Sequence, residues 1–338
     1  MRKWSSLLVA VLLVCVLTGC ASLFSLVFQI LSVGALVAKI TNLFDHGHTN
    51  ISYNMYFDGY DTGVHPTDTG NLSLSGLPTG RHVLTLATAD GHDGFHVNVT
   101  IQANTPVDLG SVTLINAGAI SGRVMRQSGA SQVPLAGVRV AAIYGGASVI
   151  RANSGATVTI PPPDDTVVIM GFTDDNGDYV LGPAAREQGW IVTCAYPGHY
   201  TDAVLASVAG GADAPGTNLL LKPDTTDAES ATVQGTVSAS GGGALTSALV
   251  AANLDVPFAP NMDPTRRTAL QLGVGSPLLA DPWFRWVSLA TQTSASGAYT
   301  LVVPPGTHSI YGFKYGYPAQ AVTLTLGAGE AQSADFAL

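Results

Sequence analysis

Charged side chains are scarce in this chain. Only 11% of its 338 residues are charged, whereas 46% are hydrophobic; in globular proteins about a quarter of residues are charged. The net charge is −9, and no basic run follows Arg2 and Lys3. A nucleic-acid-binding surface needs clustered lysine and arginine, so this composition predicts no nucleic-acid partner.

Glutamate and cysteine are also rare. The three glutamates are at positions 187, 229 and 330, so strong helix formers are sparse, while 38 Gly and 19 Pro are typical of short strands joined by tight turns. Three cysteines make no disulfide framework. Cys15 lies within an apolar N-terminal run, and Cys194 lies in a strand-like segment. We expect Cys194 to be a buried small hydrophobic residue.

Catalytic signatures are missing from the sequence. It contains no Gly-x-Ser-x-Gly, His-Glu-x-x-His, Cys-x-x-Cys, P-loop or Gly-x-Gly-x-x-Gly motif. The sequence therefore predicts a protein that is not an enzyme and that uses no cofactor.

The N-terminus has the features of an export signal. Two basic residues precede an uncharged apolar run over 7–17. The run ends in Leu-Thr-Gly-Cys at 17–20, which resembles the lipobox of bacterial lipoproteins. That resemblance implies that residues 1–19 are a signal peptide and that Cys20 carries a lipid anchor in the membrane. It also implies a location in the cell envelope, periplasmic or surface-exposed, and Ala21 favours the outer membrane.

A second uncharged segment follows, and we predict a hydrophobic helix within the lipidated segment 20–44. Residues 21–38 are borderline in length for spanning a bilayer. Small polar residues recur at spacings of three and four: Ser22, Ser25, Gln29 and Ser32. Such a stripe suits helix–helix contact in lipid and predicts a homo-oligomer. The alternative is a helix that packs on the first domain or lies on the membrane.

Residues 50–115 have the alternation of short β-strands. Asp58-Gly59 predicts a hairpin, and Gly-Leu-Pro-Thr-Gly at 76–80 leads to His82 and its strand. Together with the Asp-Gly turn at 90–91, this order resembles PEGA domains, which are small β-sandwiches of exported and surface-layer proteins.

A repeated hairpin organises the rest of the chain. The frame Thr-x-x-x-Gly-x-Tyr-x-Leu occurs at 173–181 and again at 293–301, which predicts two related domains, 117–223 and 232–338. With Pro-Leu-Ala-Gly-Val at 134–138, the first copy resembles the carboxypeptidase regulatory-like domain, and the second is a divergent copy. The resemblance implies a transthyretin-like sandwich.

The predicted fold class is therefore all-β. Three tandem β-sandwich domains, Ig-like or transthyretin-like, would follow the signal peptide and the hydrophobic helix, and each domain would have its own core.

Two sets of residues have the spacing of metal ligands. Asp174, Asn176 and Asp178 alternate as in a calcium loop, but the glycine at position six and the glutamate at position twelve are absent. The second copy of the hairpin has no carboxylate there. These three residues are weak metal candidates, and no metal is expected. The pairs at 46/48 and 92/96 are histidines at ligand-like spacing, but surface and turn roles are the simpler interpretation.

A long insertion interrupts each later domain, at 145–165 and 255–286. Long irregular loops are uncommon unless they are functional or disordered. The second insertion carries four candidate ligand-binding residues, Trp283, Phe284, Arg285 and Trp286. Such side chains anchor interfaces and stack on sugars, although they also cap open sandwich cores.

These features predict a non-enzymatic, lipid-anchored cell-envelope protein that acts as a structural scaffold, spacer or adhesion module. The expected partners are the membrane, through the lipid anchor, and an envelope protein or a glycan. The alternative is a carbohydrate- or peptide-binding surface lipoprotein that uses the 255–286 insertion.

Overall fold

The computed structural model describes residues 33–45, 47–144, 167–184, 190–208, 212–224, 230–252 and 289–338. Over these ranges the chain folds into three successive β-sandwiches and contains no α-helix, only a 3-10 turn at Asn50–Ser52. The predicted all-β fold class is confirmed. None of the helical structure in this part of the chain could cross a bilayer.

The first sandwich covers residues 33–116. It consists of a three-stranded sheet, β4-β1-β7, and a five-stranded sheet, β3-β2-β5-β6-β8. Its strands are β1 Val33–Ile40, β2 Tyr53–Phe57, β3 Tyr60–Asp61, β4 Asn71–Pro78, β5 Gly80–Thr88, β6 Asp93–Ile101, β7 Pro106–Val112 and β8 Ile115–Asn116.

Strand β1 corrects two predictions, because residues 33–40 belong to the first sandwich. The predicted helix over 20–44 is wrong for this part, and the first domain begins before residue 50. Leu36 pairs with Leu74 of β4 on one side and with Val107 of β7 on the other. Alternate residues of β1 are buried, as in a strand. The apolar residues that precede Lys39 permit a helix or a strand, and the long-range pairing with β4 and β7 decides between them. Residues 21–32 lie outside the described part.

The second and third sandwiches repeat one plan. In the second, β9 pairs with β10, β13 and β16, and the other sheet has the order β12-β11-β14-β15. In the third, β17 pairs with β20, β23 and β24, and the other sheet has the order β19-β18-β21-β22. The strands of the second are β9 Gly118–Ser128, β10 Ser131–Pro134, β11 Arg139–Tyr144, β12 Val167–Phe172, β13 Asp178–Ala184, β14 Trp190–Cys194, β15 Asp202–Ala206 and β16 Leu219–Leu221. Those of the third are β17 Ala231–Ser238, β18 Leu249–Ala252, β19 Ala290–Gln292, β20 Ala298–Val303, β21 Gly306–Phe313, β22 Gln320–Leu326, β23 Ala331–Ser333 and β24 Phe336–Ala337.

The threonine of the repeated frame ties each hairpin to the strand before it. Thr173 Oγ1 accepts the N–H of Val138 at 3.0 Å and donates to the carbonyl of Leu135 at 2.7 Å. Thr293 Oγ1 makes the equivalent bonds to Ala248 and Leu245 in the third sandwich. The hydroxyl thus holds the segment that enters β11 in the second sandwich and β18 in the third.

The tyrosine and a glycine of the opening strand act as a pair. Tyr299 donates its hydroxyl to the carbonyl of Ala334 at 2.6 Å. A Cβ at Gly235 would lie 2.0 Å from that carbonyl oxygen. Tyr179 makes the same bond to the carbonyl of Thr217, beside Gly122. The glycine lets the last segment approach the opening strand, and the tyrosine hydroxyl then satisfies its carbonyl.

The three sandwiches share apolar cores, which corrects the prediction of independent ones. Val140 and Ala142 of β11 face the core of the second sandwich, whereas Ala141 and Ile143 join a cluster that includes Val83 of the first sandwich and the core of the third. Leu249 of β18 packs into the core of the first sandwich. Central sheets buried on both faces explain why β11 and β18 lack polar–apolar alternation.

Candidate functional site: a buried polar junction of three sandwiches

A polar cluster lies where the three sandwiches meet. It begins at the tight turn between β2 and β3, where Asp58 and Gly59 have φ values of 50° and 81°. Successive positive φ angles match the right-handed twist of a hairpin, which is why Asp-Gly is favoured there. The turn places the Asp58 carboxylate in the interior, with no exposed surface.

Residues of two sandwiches donate hydrogen bonds to this carboxylate. Asp58 Oδ1 accepts the backbone N–H of Val83 at 2.8 Å. Asp58 Oδ2 accepts from His82 Nδ1 at 2.7 Å and from the Tyr311 hydroxyl at 2.7 Å. Tyr311 lies on β21 of the third sandwich, 253 residues away in sequence. One carboxylate therefore joins the first and third sandwiches.

Arg139 brings the second sandwich into the cluster. It begins β11 and is 3% exposed, and its guanidinium carbon lies 5.4 Å from the centre of the Phe172 ring. Its positive charge acts on Asp58, and it shares a hydrogen bond with Tyr311. A buried arginine is stabilised by a nearby anion and by acceptors for its N–H groups, and the junction supplies the anion Asp58 and a hydrogen-bond partner, Tyr311.

The electrostatics of the cluster fix its protonation state. Burial raises the pKa of Asp58, but the charge and hydrogen bond of His82, the charge of Arg139 and the Val83 N–H outweigh it, so that the pKa lies below its ordinary value. Burial, followed by the charge of Asp58, raises the pKa of Tyr311 well above its ordinary value. At neutral pH, Asp58 is ionised and Tyr311 is a neutral donor.

Aromatic rings enclose the polar atoms. Phe57 lies 4.5 Å from His82 and 5.0 Å from Phe313, and the rings of His82 and Tyr311 are 5.8 Å apart, between ring centres. An Asp–His–Tyr group can transfer protons only if a substrate reaches it, and neither Asp58 nor His82 has exposed surface. The geometry therefore supports attachment of the sandwiches to one another rather than catalysis.

Close backbone contacts continue the interface on both sides of the cluster. Between the first and third sandwiches, Ala319 donates its N–H to the carbonyl of Gly76 at 3.0 Å. Between the first and second, a Cβ at Gly182 would lie 2.1 Å from the carbonyl oxygen of Gly91. In the described part of the chain, the first sandwich thus makes direct backbone contacts with both of the others.

The weak metal candidates are used by the hairpin itself. Asp174 Oδ1 accepts the backbone N–H groups of Asn176 at 2.8 Å and Asp178 at 2.9 Å. Both carboxylate oxygens of Asp178 accept from Arg123, at 2.6 and 2.7 Å. No cluster of three or more histidine, cysteine or acidic side chains suited to a metal occurs in the described ranges.

The histidines at ligand-like spacing that the structure describes have different partners. His48 Nε2 lies 3.0 Å from Asp93 Oδ2. His92 lies between Asp90, at 3.0 Å, and Asp213 of the second sandwich, at 2.7 Å. His96 is enclosed near Trp190, with ring centres 6.2 Å apart, and burial lowers its pKa to about 4. His46 lies outside the described residues.

Of the remaining predicted sites, one lies within the described residues and the others lie outside them. Cys194 is fully buried, and burial, followed by the charge of Asp202, raises its pKa to about 12, as expected of a structural thiol. Cys20 and the candidate ligand-binding residues 283–286 lie outside the described residues.

The sequence patterns identified Asp58 only as a turn residue and His82 only as part of the strand that follows 76–80. They assigned no role to Arg139 or Tyr311. A usable signal was present, because Arg139 is the one charged residue in the otherwise apolar run 138–143. A lone charge in a strand buried on both faces requires a buried partner.

Comparison with known proteins gives likeness of fold only. No family model matches the chain, and no curated protein matches it. Among solved structures, it is similar to the Bacillus anthracis TIE protein (12% identity, TM-score 0.20), covering 91% of this chain and 50% of that one. It is also similar to a streptococcal ancillary pilin (10% identity, TM-score 0.20), covering 90% of this chain and 99% of that one. A third similar structure is a putative carbohydrate binding protein from Pseudomonas aeruginosa (13% identity, TM-score 0.21). The match covers 31% of this chain and 88% of that protein. This chain spans about half the length of the TIE protein.

Proposed function

We propose that this chain is a non-enzymatic envelope protein in which three sandwiches form one rigid scaffold or adhesion body. The observation that carries the proposal is the junction of Asp58, His82, Arg139 and Tyr311, which draws on all three sandwiches and is closed to solvent. Such a body holds surface features at fixed separations. It suits a scaffold or an adhesion module better than an extended, jointed spacer.

Attachment to the envelope is the second part of the proposal. The lipobox-like residues 17–20 support a lipid on Cys20, and two or more acyl chains suffice for stable membrane residence. Mass spectrometry of the mature chain should find acylated Cys20, and Cys20→Ala should move the chain to the soluble fraction. An unmodified Cys20 in a membrane-free chain would exclude the anchor.

Partner capture tests the scaffold role directly. The full chain, expressed in bacterial cells, should cross-link to an envelope protein at a defined surface. Cys20→Ala changes no residue of the three sandwiches, and this variant should not form the cross-link because it is no longer held at the membrane. If the anchored wild-type chain cross-links to no envelope protein and adheres to no surface, the proposal is wrong.

The alternative function is binding of a carbohydrate or peptide by the 255–286 insertion. In its support, the stretch leaves from β18 and returns to β19, which are paired neighbours: Ala252 donates its N–H to the carbonyl of Leu289 at 2.9 Å. The described residues on either side of it, Ala252 and Leu289, therefore lie next to each other at the pairing of β18 with β19. The residues proposed to bind are Trp283, Phe284, Arg285 and Trp286.

A glycan array and a pair of alanine variants separate this role from a core-capping one. If these residues bind, Trp283→Ala and Trp286→Ala abolish capture and leave the melting temperature unchanged. A large loss of thermal stability with no change in capture would assign both tryptophans to the core instead.

A further inference from the structure

Strand β22 is the edge of its sheet and, in the described part of the chain, the longest edge strand without a charge, proline or glycine. It follows β21 in the order β19-β18-β21-β22, and within the described ranges it pairs with β21 alone. An edge strand presents unpaired N–H and C=O groups to any strand that approaches. We propose that two copies of this chain associate through antiparallel pairing of β22 with β22, with the two-fold axis at Thr323.

The composition of β22 lacks the features that block edge pairing. Its seven residues, Gln-Ala-Val-Thr-Leu-Thr-Leu, include no charge, proline or glycine. The other edge strands of four residues or more, except β20, carry such features; for example, β4 ends at Pro78, β7 contains Asp108, β10 ends at Pro134 and β15 begins at Asp202. Edges such as β16 and β23 lack them but are only three residues long, which itself limits strand addition. Charges and prolines are the usual protection against strand addition.

Edge strand β20 is also uncharged, but it is covered. Its residues Thr300, Leu301 and Val302 line a cavity of about 170 Å³ together with Tyr196 of the second sandwich. The second sandwich therefore lies beside β20, so β22 is the better edge for a partner strand.

The sequence of β22 is complementary to a second copy of β22 in an antiparallel pair. A two-fold axis at Thr323 pairs this residue with itself, Val322 with Leu324, and Ala321 with Thr325. Val322 and Leu324 are half-buried against the core of the third sandwich, and Ala321, Thr323 and Thr325 are exposed. Pairing would therefore join apolar residues on one face and threonines on the other, and both are favourable cross-strand pairs.

The occupant is a second copy because of this self-complementarity and because of charge. Two chains of net charge −9 repel each other over most approaches, and β22 offers a charge-free line of contact. Both ends of the strand are already fixed to the chain itself. Gln320 bonds to the backbone of Ala337, and the carbonyl of Thr325 accepts from Gln332 at 3.0 Å, which leaves a second lone pair for the partner.

Cysteine cross-linking tests the proposed register in the full chain in detergent. The two Thr323 residues would lie one inter-strand spacing apart, about 5 Å, so Thr323→Cys should form a disulfide dimer on mild oxidation. The control is Ser309→Cys, because Ser309 is the partner of Thr323 on β21. The two Ser309 residues would lie about 14 Å apart, too far for a disulfide. The wild-type chain, oxidised in the same way, shows how much dimer forms through the native cysteines alone.

A charge variant tests the association itself. Thr323 is exposed, so Thr323→Lys should keep the fold by circular dichroism. In a dimer of this variant, two lysines face each other at the two-fold axis. We therefore expect the dimer to be about tenfold weaker or more in sedimentation experiments. Ser309→Lys should have a smaller effect. A monomeric wild type, a dimer that Thr323→Lys leaves unchanged, or equal cross-linking of the two cysteine variants would overturn the proposal.

Discussion

Replacing Asp58 by asparagine is the sharpest perturbation of the buried junction. Asparagine tolerates the φ of 50° at this turn, so the hairpin is retained while the carboxylate charge is lost. Arg139 then remains buried without its anion. Breaking a buried ion pair by removing one partner costs about 3–5 kcal/mol, because the other charge is left uncompensated.

The assay is urea unfolding of the full chain, followed by circular dichroism. A matched control is Asp61→Asn, three residues along the same hairpin: Asp61 is exposed and accepts from Asn54 and the Gly63 N–H. We expect the control to cost about 0.5 kcal/mol. If Asp58→Asn destabilises no more than Asp61→Asn, the electrostatic account of the junction is wrong.

The same reasoning predicts the pH dependence of this variant. Because the folded-state pKa of Asp58 lies below its ordinary value, its stabilising contribution is complete above the unfolded pKa of about 4 and is lost as the pH falls through the folded pKa. The wild type should therefore lose its advantage over Asp58→Asn on acidification. An advantage that stays constant from pH 7 to pH 3 would contradict the ionised state of Asp58.

Three further predictions concern the interfaces and the repeated frame. The hydrogen bond that His92 donates to Asp90 raises the pKa of His92; burial opposes this, and the hydrogen bond to Asp213 raises the pKa further. The contribution of His92 to the free energy of unfolding is present below about pH 6.5 and is lost as the pH rises through the folded pKa. In urea titrations, His92→Gln should therefore destabilise the chain slightly at pH 5.5 and less at pH 9. A larger loss of stability at pH 9 would refute the contact. Gly122→Ala places a Cβ 2.1 Å from the carbonyl oxygen of Thr217, so we expect a loss of about 1–3 kcal/mol by thermal melting, and an unchanged melting temperature would contradict the close approach. The isolated fragment 33–116 loses the packing of Tyr311 and Phe313 on its core, and its amide hydrogen exchange should be faster than in the full chain; equal protection would show a self-sufficient domain.

The sequence predicted the elements that depend on local chemistry. The frame at 173–181 and 293–301 carries its turn glycine, its bonding threonine and its tyrosine within nine residues, so hairpin, repeat and fold class could be inferred together. Strand β1 could not be predicted, because the uncharged apolar run that precedes Lys39 suits a helix or a strand equally. The partners of β1, β4 and β7, come more than thirty residues later.

The junction escaped prediction for a similar reason. Its hydrogen bond between Asp58 and Tyr311 spans 253 residues, and no local pattern marks which tyrosine will meet which carboxylate. The shared cores had a weak signal: β11 and β18 are apolar at every position except Arg139, which indicates burial on both faces. Only the packing of whole sandwiches shows that the second face belongs to a neighbour.

Scanning calorimetry of the full chain tests most directly whether the three sandwiches are one body. Shared cores and a common buried ion cluster predict a single cooperative transition, in which the van't Hoff and calorimetric enthalpies agree. Asp58→Asn should lower and broaden that transition. Three separate transitions in the wild type, each unaffected by Asp58→Asn, would contradict the account.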